Sequence, residues 1–145
     1  MRIRSRGRRS ATLTSLVGTL LLGVTPSMGL AQQEEVAKAG RPAYEQNCAV
    51  CHGREGKGDG GAMNLLTVKP ADLTQLSKNK NGTFPFWRVY RVIDGREEIQ
   101  GHGTRDMPIW GQEFRLQAGS SSMAESQVRG RILELVHYLE SIQAK

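Results

Sequence analysis

Cys48-Ala-Val-Cys51-His52 constrains this chain more than any other stretch. It holds both cysteines of the sequence, with a histidine directly behind the second. In a C-x-x-C-H arrangement each thiol can add across a haem vinyl group, and the imidazole reaches the iron from the same turn. Other chemistries compete for these residues. A thioredoxin-like dithiol sits after a strand, at a helix start in a βαβ pattern, and no such pattern is present. A zinc site needs four ligands, and a second ligand pair of suitable spacing is missing. A disulfide across two residues is feasible but leaves His52 without a role. The motif therefore reads as covalent attachment of one haem c through Cys48 and Cys51, with His52 on its iron.

The surrounding pattern is helical. From Glu34 to Val50, the residues Val36, Ala37, Gly40, Ala43, Tyr44 and Asn47 recur at three- and four-residue steps. Glu34 and Glu35 sit where the helix dipole favours acids. Pro42 removes an internal hydrogen bond, so the regular helix is expected to begin nearer Arg41. Residues 53–61, GREGKGDGG, form a loop able to pass close to something flat and bulky. They lack the GK[ST] ending of a phosphate loop. A short helix is expected over Asp72–Lys78, with Asp72 near its N-terminus. A third is expected over Phe84–Ile93, with Phe86, Val89, Tyr90 and Ile93 on one face and Asp94-Gly95 ending it. Residues 96–122 show no sustained period and are expected to be irregular. Glu125–Gln143 is the clearest helix, its apolar stripe made by Val128, Ile132, Leu135, Val136 and Leu139. No strand and no repeat is apparent. The fold class is all-α: three to four short helices and long irregular loops. Such a chain buries little apolar area unaided, and a haem at its centre would supply the missing surface.

The N-terminus reads as a targeting segment. MRIRSRGRR carries five arginines and no acid, and an apolar run follows from Ala11 to about Val24. That run is about 14 residues, against roughly 20 for a bilayer span. Pro26 breaks it, and Gly29-Leu30-Ala31 offers a small-x-small cleavage pattern. Residues 1–31 are thus expected to be a signal peptide, and 32–145 the functional domain. An uncleaved segment would instead anchor the protein to the membrane. The whole chain has 20 basic against 14 acidic residues, a net +6. Five of the basic residues and none of the acids lie in residues 1–31, leaving 15 against 14 beyond them. A near-balanced domain gives no electrostatic case for nucleic acid. Export fits haem attachment, which takes place outside the cytoplasm.

With these residues in view, the chain resembles class I mono-haem cytochromes c over about 36–143. In that family a glycine and an aromatic precede the first haem cysteine at four-residue intervals, as do Gly40 and Tyr44 before Cys48. The family's last helix carries L-x-x-Y-L, matched by Leu135-Val-His-Tyr138-Leu139. The resemblance implies a cytochrome c-like fold wrapped around the haem. It also implies a sixth iron ligand from a loop methionine followed by proline and an aromatic, and Asp106-Met107-Pro108-Ile109-Trp110 matches that loop. A thioether favours ferrous iron. Met63 and Met123 are less well placed. His102, in Gly101-His102-Gly103, is the rival ligand, and His137 on the last helix is a weaker one. The resemblance further implies a proline carbonyl that accepts from the His52 ring, with Pro70 as the best match. Trp87, Arg91 and Trp110 could line the haem or its propionates. Equally, both tryptophans could be core and Arg91 a solvated face.

Two filled axial positions leave no open site, so the expected function is outer-sphere transfer of single electrons in the periplasm. No catalytic constellation stands out, and the chain reads as a carrier rather than an enzyme. Redox proteins are the expected partners, a donor dehydrogenase or reductase and an acceptor oxidase, with no stable membrane insertion once the signal is removed. One alternative is a haem subunit of a periplasmic oxidoreductase complex, which exposed Phe84, Phe86 and Ile109 would favour. Another is a ligand sensor or peroxidase with a labile Met107.

Overall fold

The computed structural model describes residues 27–97 and 107–144. Most of the expected signal segment, together with His102 and Asp106, lies outside the described residues. Five α-helices follow in order: α1 Ser27–Asn47, α2 Ala49–His52, α3 Phe86–Asp94, α4 Trp110–Ala118 and α5 Ala124–Ser141. Single 3-10 turns at Met63–Leu65, Leu73–Gln75 and Lys78–Lys80 punctuate the connection between α2 and α3. No strand occurs among the described residues, and the architecture is the all-α one expected. Among the same residues no helix is long and apolar enough to cross a membrane.

The helix α5 is the centre of the molecule. Its Val128, Ile132, Leu135, Val136 and Leu139 are all buried, and α1, α3 and α4 each pack on it. The crossing with α1 is tight because Gly40 has no side chain. A Cβ there would run into the Glu134 carbonyl and lie 3.0 Å from the Leu135 nitrogen. Four residues on, the Tyr44 ring meets Tyr138 with centroids 5.0 Å apart. The crossing that Gly40, Tyr44 and Tyr138 foretell is present.

Helix α1 begins earlier than expected and runs straight through Pro42. The proline is exposed, while Ala37 and Gly40 before it and Ala43 and Tyr44 after it are buried. Packing on α5 from both sides of the break offsets the roughly 3 kcal/mol that an interior proline costs. The expected helix over Asp72–Lys78 is reduced to the 3-10 turn at Leu73–Gln75. Asp72 does cap that turn, accepting from the Thr74 N–H at 2.9 Å.

The stretch expected to be irregular contains α4. Its apolar period rests on one i,i+4 pair, Trp110 and Phe114, whose rings lie 5.8 Å apart. The Arg131 guanidinium of α5 sits 4.4 Å from the Phe114 ring centroid. Tertiary contact with α5, rather than local pattern, makes this segment helical.

Candidate haem site

The C-x-x-C-H residues are placed by the end of α1. The Cys48 N–H donates to the Tyr44 carbonyl at 2.8 Å, so the first cysteine continues the α1 ladder. The Cys48 carbonyl then accepts from Cys51 at 3.1 Å and from His52 at 2.9 Å. One backbone oxygen thereby gathers all three reactive residues into a single turn. Both cysteines are free thiols and half-buried. Burial, with Cys51 beside it, pushes the Cys48 thiol up to about 12. Cys48 is therefore held as the protonated thiol, not as a metal-binding thiolate.

His52 is oriented by its own backbone contact. Its Nδ1 lies 3.0 Å from the Ala71 carbonyl oxygen. A carbonyl can only accept, so Nδ1 carries the proton and Nε2 keeps its lone pair. Burial lowers the pKa of the ring, which favours the neutral, metal-binding form. The expected acceptor was Pro70; the structure moves it one residue on. The Pro70 carbonyl instead faces Gly58, whose φ of +74° and missing Cβ leave it room.

The glycine loop is bound down onto α2. The N–H groups of Gly58, Gly60 and Ala62 donate to the carbonyls of His52, Cys51 and Val50 at 2.8, 3.1 and 2.9 Å. Leu73 donates to Gly56 at 2.7 Å, which holds the Ala71 segment beside His52. The Tyr44 hydroxyl, fully buried, donates to the Gly53 carbonyl at 2.7 Å. This anchor directly after His52 was not read from the sequence, where Tyr44 counted only as a packing ring.

Met107 lies half-buried at the margin of the core, as do Cys48, Phe84, Phe86 and Trp110. It lies three positions before Trp110, which opens α4. The other candidates fare differently. Trp87 is 64 % exposed, edge-on to Phe86 at 5.3 Å and Tyr90 at 5.9 Å, so it is not core. Arg91 is exposed and held by Glu97 at 3.0 Å, in line with a solvated face. His137 places its ring 4.9 Å from Phe86 and its Nδ1 3.5 Å from Glu140, the helix-crossing role rather than a ligand's. Phe84, Phe86 and Ile109 are half-buried rather than exposed.

Two free thiols, an imidazole with a free Nε2, and a fringe of half-buried apolar side chains form a donor set that fits haem c. No cluster of three His, Cys, Asp or Glu able to hold a metal ion occurs among the described residues.

Comparison with curated proteins and with solved structures finds no match. The family model for cytochrome c oxidase, cbb3-type, subunit III matches residues 35–118, from the first turns of α1 to the end of α4. That span takes in Gly40, Tyr44, the C-x-x-C-H turn, the Ala71 carbonyl and Met107, and the chain belongs to this family of c-type cytochromes that act in electron transfer.

Proposed function

We propose that the protein is a periplasmic single-electron carrier with one haem c bound covalently through Cys48 and Cys51, its iron ligated by His52 and Met107. The observation that carries this reading is the His52 ring, locked by Ala71 so that Nε2 is free in the same turn as two free thiols. When bound, haem supplies a one-electron Fe(III)/Fe(II) couple. The chain's own residues fix its surroundings. His52 is neutral and cannot rotate without losing its Ala71 bond. Met107 offers a soft sulfur that stabilises the reduced state, and Pro108 stiffens the segment behind it. The glycine loop, bonded to α2 at three points, holds the second thiol and the imidazole together. Partners are redox proteins, a donor dehydrogenase or reductase and an acceptor oxidase. The balance of 15 basic and 14 acidic residues beyond position 31 gives no reason to invoke nucleic acid.

A second reading is a haem subunit resident in an oxidase complex, and the description of the matched family favours it. Visible and near-infrared spectra of protein exported with the haem-attachment machinery test the site. A covalent c-type haem with the weak near-infrared band of a Met–iron bond is expected. A c-type haem without that band overturns Met107, and no covalent haem overturns the site as a whole. Gel filtration of native extracts separates the two roles: a carrier elutes alone, a subunit with its complex.

A further inference from the structure

Met107 stands two residues before Ile109, where the end of α3 and the start of α4 come into close contact. Asp94 is in the last turn of α3, and its side chain is only 5 % exposed. One carboxylate oxygen is paired with Arg96. The other lies against Gly111, in the first turn of α4. A Cβ at position 111 would collide with that oxygen and stand 2.7 Å from the Asp94 carbonyl and 3.2 Å from its Cα. The next residue repeats the contact from the opposite side. Gly95, with φ +84°, would bring a Cβ into the Ile109 side chain, 3.3 Å from its Cβ. Two glycines, one just past α3 and one in α4, thus let the segment Ile109-Trp110-Gly111 close onto the end of α3.

Charge supports the same contact. Ile109, at the N-cap of α4, provides no side-chain acceptor for the first turn. Asp94 brings a carboxylate to that positive helix end from α3, where a negative group is favoured. The start of α4 thus meets a residue 16 positions earlier in the chain.

We propose that Asp94, seated between Gly95 and Gly111, is a positioning residue that clasps α3 to α4 and thereby fixes Met107 at the iron. The proposal rests on Met107 being the sixth ligand. It assigns to Asp94 a share in ligand retention that its distance in sequence from Met107 does not suggest.

The test uses the haem-loaded protein and its Asp94→Ala, Asp94→Asn, Gly111→Ala and Met107→Ala variants. The readouts are the Met–iron near-infrared band, the reduction potential and the rate of carbon monoxide binding to the reduced form. Asp94→Ala and Gly111→Ala are expected to keep covalent haem and far-ultraviolet helix signal. They should weaken the band, lower the potential and speed carbon monoxide binding by about tenfold, the factor given by ~1.4 kcal/mol lost from the closed arrangement. Asp94→Asn keeps the shape of the side chain and should retain most of the band, which separates ligand positioning from loss of fold. Should Gly111→Ala not fold, the two Asp94 variants still decide the matter. If Asp94→Ala melts at lower temperature while its band, potential and rate stay as in the parent, or if Asp94→Asn loses the band as fully as Asp94→Ala, the proposal is overturned. A parent without the band, or Met107→Ala that keeps it, overturns the ligand assignment on which the proposal rests.

Discussion

Tyr44 serves two elements at once, and the two contacts are separable. Its ring packs on Tyr138 of α5, while its hydroxyl ties down the Gly53 carbonyl just past His52. Tyr44→Phe keeps the first and leaves the Gly53 carbonyl with the Gly56 N–H, at 3.1 Å, as its remaining donor. The expected loss is about 0.5–1.5 kcal/mol of stability, read from the denaturation midpoint, with the haem still attached. Burial also raises the Tyr44 pKa above that of a free tyrosine, so the hydroxyl stays a donor throughout the physiological range. Cys48→Ala or Cys51→Ala should each weaken or abolish retention of haem in denaturing gels. The place of His52 was legible from spacing alone, because the C-x-x-C-H pattern sets an imidazole directly behind the second thiol. Ala71 was not, because a backbone carbonyl has no residue signature and its direction is set by the Gly56–Leu73 bond.

The elements differ in how much of their structure is local. Helix α5 announces itself through five apolar residues on one face, and α3 through four. Helix α4 carries a single aromatic pair among Gly, Gln and Arg, and Arg131 with the α5 surface on one side and the end of α3 on the other complete it. Pro42 misled in the opposite direction, since a local cost is overridden by buried neighbours on both sides. At the α1–α5 crossing Gly40→Ala forces a Cβ against backbone, which cannot swing aside as a flexible side chain would. About 1–3 kcal/mol of overpacking is expected, seen as a lower melting temperature. At the end of α3, Arg88 and Arg91 hydrogen-bond to Glu97 and hold its carboxyl below the usual range. A carboxyl depressed on folding adds stability above its unfolded pKa and loses it as the pH falls through the folded value. Glu97→Gln should therefore lower the melting temperature slightly at neutral pH, and the difference from the parent should vanish in acid.

At the scale of the molecule, the near-balance of charge beyond residue 31 bears on how partners meet. A strongly one-signed carrier shows association rates that fall steeply with salt. This one should exchange electrons with a small redox partner at a rate nearly independent of ionic strength, checked by stopped-flow from low to physiological salt. A steep dependence would falsify the balanced-surface reading and point to a local patch. The same scale explains why the first half of α1 is unlike the rest of the fold. Gly29 and Ala31 through Glu35 are exposed, and from there on the earliest buried side chain is Ala37. The stretch from Ala31 to Glu35 is expendable to the core: a protease cutting within it parts exposed turns and reaches none of the buried side chains from Ala37 onward. The N-terminal boundary can thus be reset by processing while the electron-carrying body, from Ala37 onward, keeps its melting behaviour.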